Sequence, residues 1–137
     1  MSISLVVDTS ALVAIIKAEP GHAEMQLALV SQTAALPAPA LVELQRVMAT
    51  AGNHPDPRVL ALVEAFGLQV VPFDIESANA ATSANERFGT GNRRGGLLNM
   101  LDLMVYAFAR VEGLPILCTG KDFASTDAKL HPASRRE

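Results

Sequence analysis

The chain has no tryptophan, one tyrosine, one cysteine and only three histidines among its 137 residues. Lone Cys118 excludes an intramolecular disulfide and suits a reducing, cytoplasmic setting. His22, His54 and His131 are scattered, each beside or near Gly or Pro, and read as loop residues rather than as a metal or catalytic set. There is no Gly-x-Ser-x-Gly elbow for a Ser/His/Asp hydrolase, no Walker A loop, and no Gly-x-Gly-x-x-Gly following a strand. The Gly89-x-Gly91 pair is followed by arginines and a long helical pattern, and no strand precedes it. Positive charge is also short: the net formal charge is −3, which excludes coating of nucleic acid through net charge alone. No charged leader precedes an apolar segment. The longest apolar run, Leu97 to Ala109, is too short for a bilayer and carries Asn99 and Asp102, so neither a signal peptide nor a membrane span is expected.

What the chain does have is aliphatic bulk. Half of its residues are hydrophobic and only 18% are charged, so a core of Leu, Val, Ile and Ala is expected over residues 1–137 as one domain. The opening run Leu5-Val6-Val7-Asp8-Thr9-Ser10-Ala11-Leu12 organises the rest. It reads as a strand over residues 3–7, an acid at the strand's tip, and a helix starting at once and running to Ala18 before Pro20-Gly21. A second helix is expected over 22–31, with Met25, Leu29 and Val30 as its apolar positions. Ala34 to Pro37 reads as a strand whose proline places it at an edge or marks a strand end.

Pro39 opens a helix to about Ala51, with Leu41, Leu44, Met48 and Ala51 at helical spacing and Glu43 on the flank of that face. Asp56-Pro57 starts another, closed by Gly67, and Leu68 to Phe73 reads as a strand. Asp74 caps a helix to Phe88. Residues 89–96, with four glycines and two arginines, read as a mobile cationic loop. A helix over Leu97–Glu112, a strand over Leu114–Cys118, and a tail ending in Arg135-Arg136-Glu137 complete the chain. Strands alternating with helices define an α/β fold of three layers: a mostly parallel central sheet with helices on both faces.

Four acids stand out by position. Asp8 and Asp122 follow apolar strands, where open α/β sheets build their sites, although a helix cap at Asp8 and a turn aspartate at Asp122 are the competing roles. Glu43 is either a helix-surface glutamate or a site residue. Asp102 lies in Leu97–Ala109, which is apolar nearly all round, and shares one helical face with Asn99 and Tyr106. An ionised carboxylate buried there is costly without a cation or dense hydrogen bonding. Carboxylates converging on one sheet edge repel each other, and a divalent cation removes that repulsion. Oxygen donors suit Mg²⁺ or Mn²⁺ rather than zinc, and phosphodiester hydrolysis is the matching chemistry. Arg87, Arg93 and Arg94 are either a solvated loop face or contacts for phosphates or an acidic partner segment.

In these motifs the sequence resembles PIN-domain ribonucleases of the VapC toxin type, from bacterial toxin–antitoxin modules. The resemblance rests on Val7-Asp8-Thr9-Ser10-Ala11-Leu12, Ala40-Leu41-Val42-Glu43-Leu44, Leu98-Asn99-x-x-Asp102 with Tyr106-Ala107, and Gly120-Lys121-Asp122-Phe123 with Thr126-Asp127, in order across nearly the whole chain. It implies that Asp8, Glu43, Asp102 and Asp122 form a catalytic Mg²⁺ or Mn²⁺ site, with Ser10 and Asn99 as supporting polar groups. It further implies endonucleolytic cleavage of RNA, a homodimer, and inhibition by a VapB-like antitoxin. The sequence departs from the family beside the third acid, where Leu101 and Leu103 replace the usual glycine and small residue and are expected to narrow the groove.

Two other readings compete. A phosphotransferase using Asp8 as nucleophile would want a second acid two residues on, where Ser10 stands. A non-catalytic module of the same fold would use its acids only to bind nucleic acid or an antitoxin.

Overall fold

The computed structural model describes residues 2–136, so Glu137 at the tip of the tail lies outside the described residues. In chain order the elements are β1 (Ile3–Val7), α1 (Thr9–Ile16), α2 (His22–Ser31), β2 (Thr33–Pro37), α3 (Ala38–Met48), α4 (Pro57–Ala65), β3 (Gln69–Val71), α5 (Ile75–Phe88), α6 (Met100–Glu112) and β4 (Ile116–Leu117), followed by a 3₁₀ turn at Phe123–Ser125. The strands form one sheet in the order β3-β2-β1-β4, and every pairing is parallel. Leu5, Val6, Val7, Ala34, Ala35 and Leu36 are all at 0% exposure. Neighbouring strand residues point to opposite faces, so both faces of β1 and β2 are covered by helices, as the three-layer expectation requires.

Several sequence expectations are corrected in detail. Of the two places expected from its proline, β2 is not an edge but an interior strand, and the other holds: Pro37 sits at its C-terminal end, opposite Val71. β3 and β4 are shorter than the expected 68–73 and 114–118. On α2, Met25 and Leu29 are buried, but Val30 is 73% exposed. α3 ends at Met48, which leaves Ala51 exposed beyond it.

The largest correction concerns the Asp102 helix. It begins at Met100, not Leu97, because Asn99 caps it: the Asn99 side chain accepts from the Asp102 N–H at 2.9 Å, and Asp102 Oδ2 accepts from the Asn99 N–H at 3.1 Å. Its first turn is open, with Met100 65% exposed, and its buried part runs from Val105 to Ala109. Gly113, at φ +68°, closes the helix in the left-handed conformation glycine favours.

The segment over 89–96 is built rather than featureless. Asn92 Oδ1 accepts from the Arg94 and Gly96 N–H groups at 2.8 and 3.1 Å, and its amide donates to the Glu86 and Arg87 carbonyls. The Thr90 N–H donates to Leu98 O, and the Leu98 N–H to Phe88 O, closing the loop at its base.

After the 3₁₀ turn the chain returns along β4. The Ile116 N–H donates to Lys129 O and the His131 N–H to Ile116 O, both at 2.8 Å, and Leu130 bridges Ile116 in parallel sense. His131 Nδ1 accepts from the Ala133 N–H, so Nε2 carries the proton and donates to Gln32 Oε1 at 2.6 Å. The tail thereby covers what would otherwise be an open sheet edge.

Candidate active site

Parallel strands end together, and that places the acids. Asp8 follows β1 and is the N-cap of α1. Its own N–H donates to Leu117 O at 2.9 Å, which locks the β1 tip to the end of β4. Asp8 Oδ2 accepts from the Ser10 N–H at 3.0 Å and from the Ser10 hydroxyl at 2.6 Å. The same hydroxyl accepts from the Thr119 N–H at 3.0 Å. Ser10 thus joins the start of α1 to the chain leaving β4, and that chain carries Asp122 immediately before the 3₁₀ turn.

Glu43 comes from the second turn of α3, half-buried. The register of α3 against α1 is set by Thr9, a buried residue whose hydroxyl donates to Ala40 O at 3.1 Å. Within its motif the sequence gives Thr9 no role of its own. Its signal was a hydroxyl next to a strand-tip acid, which a helix cap explains equally well. Asp102 enters from the first turn of α6, half-buried.

Asp102 lies within electrostatic reach of Asp8, Asp122 and Glu43, and Asp8 within reach of Glu43. The Asp8 carboxyl is held above its usual range chiefly by burial; the Ser10 hydrogen bonds oppose the shift and Glu43 adds to it. Burial also pushes Asp102 up, to about 6, against the Asn99 hydrogen bond and with the further repulsion of Asp8, Asp122 and Glu43. None of the ion pairs among the described residues involves any of these acids; they engage Asp56 and Asp127. Among the described residues, no three Asp, Glu, His or Cys side chains are grouped closely enough to chelate an ion directly. A set of oxygen donors that are mutually repelling, unpaired and somewhat separated is what a small hard cation keeping several of its own waters accepts.

Leu101, one of the bulky neighbours of Asp102, lines a shallow groove with Pro39, Val42, Glu43, Arg46 and Val47, on the α3 side of the acids. Leu103 packs against the core instead. Of the loop arginines, Arg87 pairs with Asp127 at 3.1 Å and lies over the Phe88 ring. The Arg94 guanidinium donates to Glu86 O at 2.6 Å, and Arg93 is exposed at φ +62°.

A second polar centre lies one turn along α6. The Tyr106 hydroxyl donates to Asp127, which also receives Arg87 and Arg110. These contacts fasten the chain after the 3₁₀ turn to α5 and α6. The Tyr106 phenol is pushed up to about 12, first by burial and then by Asp127.

A parallel four-strand sheet with acids gathered at the C-terminal ends of its strands defines a class. The PIN domain model matches residues 5–129, and the chain belongs to the PIN domain family. Within that family it is similar to ribonuclease VapC42 of Mycobacterium tuberculosis, with 35% identity over 127 residues spanning 91% of this chain and 97% of that protein. Among solved structures it resembles Mycobacterium tuberculosis VapC20, described as a sarcin-ricin loop cleaving toxin, with a TM-score of 0.69 and 18% identity over 91% of this chain and 96% of that one. It also resembles VapBC-5, a toxin–antitoxin system of the same organism, with a TM-score of 0.64 and 22% identity over 99% of this chain and 100% of that one. At these identities the solved structures bear on the fold.

Proposed function

We propose that this chain is an endoribonuclease that hydrolyses RNA phosphodiester bonds as the toxin of a toxin–antitoxin pair. The observation that supports it most is the convergence on Asp102, whose carboxyl is raised to about 6 by burial first and then by repulsion from Asp8, Asp122 and Glu43, while no ion pair among the described residues engages any of the four. These residues would hold Mg²⁺ or Mn²⁺, some of them through water. Such an ion polarises a phosphate and makes water a competent nucleophile near neutral pH.

The residues divide the remaining work. Ser10 fixes Asp8 through one carboxylate oxygen, Oδ2. Asn99 fixes the backbone entry of Asp102. Thr9 holds α3, and with it Glu43, at the same edge. Arg93, together with Arg87 and Arg94 once released from their protein partners, would face phosphates or an acidic segment of a VapB-like antitoxin. The same reading includes a single domain over 1–137, a homodimer, and a cytoplasmic location. Among the described residues no helix is long and apolar enough to cross a membrane.

The competing reading is a non-catalytic PIN-like module, favoured by the absence, among the described residues, of three chelating side chains already grouped around one point. Incubation of total RNA with Mg²⁺, with and without chelator, separates the two. Cleavage should be lost in chelator and in Asp8→Asn and Asp102→Asn. Wild-type rates in either variant would sink the site assignment. Calorimetric silence with Mn²⁺, together with absent cleavage, would favour the module.

A further inference from the structure

An acid edge that repels a polyanion needs cations beside it, and two of the loop arginines are already engaged: Arg87 by Asp127 and Arg94 by a backbone carbonyl. The tail supplies another. The Asp8 N–H donates to Leu117 O at 2.9 Å, and one residue further on the Arg135 N–H donates to Cys118 O at 3.0 Å. Successive carbonyls at the end of β4 therefore hold the first acid on one side and the C-terminal segment on the other. The segment is fastened upstream as well, through Lys129 and His131 to Ile116, through the Ser134 hydroxyl between Ile116 O and Cys118 N, and through His131 to Gln32. Its course is built by hydrogen bonds, not left to chance. Arg136, the next residue, is exposed. Its charge lowers the Cys118 thiol while those of Asp8 and Asp102 raise it, and the Cys118 carbonyl is the group that receives the Arg135 N–H.

From this placement, and resting on the nuclease reading above, we infer that the C-terminal segment is an arm that delivers Arg136 to the β4 side of the acid edge as a contact for backbone phosphates of the RNA. Arg93, in the loop leading into α6, is a second exposed arginine. A guanidinium suits this position because it stays charged at any working pH and meets phosphate oxygens in a forked geometry. Phosphate contacts position a strand without reading its sequence, so Arg136 should act equally on RNAs of different sequence.

The test compares the full-length wild type with Arg136→Gln, Arg136→Lys, and Lys17→Gln as a control at the far end of α1. Binding of a labelled single-stranded RNA is titrated with Ca²⁺ over a range of salt, and cleavage is followed separately with Mn²⁺. Arg136→Gln should raise Kd and KM roughly three- to tenfold with kcat nearly unchanged. The slope of log Kd against log salt should become shallower by about 0.7, one phosphate contact on a single strand. Arg136→Lys should restore most of the loss, and Lys17→Gln should change nothing. Unchanged Kd and salt slope in Arg136→Gln overturn the arm whether or not the chain cuts RNA, and tighter binding would show that the tail obstructs the site. A chain that binds RNA in an Arg136-dependent way but never cleaves it overturns the nuclease reading and leaves the arm standing.

Discussion

Ser10 gives both its backbone N–H and its hydroxyl to the same oxygen of Asp8, at 3.0 and 2.6 Å, while that hydroxyl also receives the Thr119 N–H. The helix cap and the candidate site therefore share one arrangement here. Helix α1 starts where the acid is fixed, and the bond to Thr119 sets the distance from Asp8 to the loop that carries Asp122. Ser10→Ala should remove the hydroxyl bond that lowers the Asp8 carboxyl while keeping the backbone N–H bond, raise that carboxyl further, and reduce Mn²⁺ affinity and RNA cleavage by roughly tenfold. Ser10→Thr should retain most of both. Calorimetry with Mn²⁺ and a cleavage time course check the pair. Full affinity in Ser10→Ala would mean that Asp8 is held in place by its backbone alone.

The Asp102 carboxyl lies at about 6 in the fold against an ordinary 3.8. Its folded-state value is raised, so ionising it opposes folding: its stability contribution is best below the ordinary value and declines as pH rises toward 6. Without divalent metal, Asp102→Asn should therefore be more stable than wild type at pH 7 by ~1 kcal/mol, a figure reduced for the solvent at this half-buried position. The difference should build up between about pH 4 and pH 6 and stay level above. Urea unfolding across that range, with EDTA present, measures it. A variant less stable than wild type at pH 7 would show that the carboxylate's cap role outweighs the repulsion.

Metal should reverse that ordering. On the proposed reading Mn²⁺ would bind the ionised carboxylates, so it should raise the melting temperature of wild type and act progressively more strongly as pH rises through about 6. Asp102→Asn and Asp8→Asn should respond far less. A calorimetric or fluorescence melt at several Mn²⁺ concentrations decides it, and equal shifts in all three proteins would place the ion elsewhere.

Tyr106→Phe removes the hydroxyl that, more than any other group, holds the Asp127 carboxyl below its usual range. The variant should lose about 1 kcal/mol at pH 7. Because Asp127 is depressed in the fold, this contribution is present above the ordinary carboxylate range and fades as pH falls through its lowered value, so the gap to wild type should close in acid. Chemical unfolding at pH 7 and in strong acid gives both points. A gap that is constant with pH would assign the loss to packing against Phe88 instead.

Gly96 is tight for a different reason. A Cβ there would stand 2.3 Å from Gly89 O and 2.5 Å from Phe88 O, both backbone atoms that cannot swing aside. Gly96→Ala should cost roughly 2 kcal/mol and loosen the loop that leads into Asn99. Gly91→Ala, with open space around it but φ +84°, tests strain alone. Thermal melts of the two variants side by side distinguish collision from backbone strain.

The sequence by itself determined the alternation of strands and helices, because aliphatic runs ending at acids, caps and glycines act locally. Asp8 after β1, Asp56 and Asp74 before their helices, and Gly67 and Gly113 after theirs all appear where short-range chemistry puts them. Only the tertiary structure decided what those positions mean together. The apolar stretch around Asp102 suggested a helix buried from Leu97 onward; Asn99 capping opens its first turn, which no periodicity distinguishes from continued helix. The interior place of β2 depends on pairing with β1 and β3, and Pro37 alone leaves an edge and a strand end both open. The glycines and arginines of residues 89–96 suggested mobility, but Asn92 supplies four hydrogen bonds that composition does not reveal. Most of all, the reach from Asp8 to Glu43, Asp102 and Asp122 spans over a hundred residues of chain. Parallel strands bring their ends to one edge, but the bonds from Thr9 to Ala40, Ser10 to Thr119, and Asp8 to Leu117 are what set Asp8, Glu43 and Asp122 within reach of Asp102.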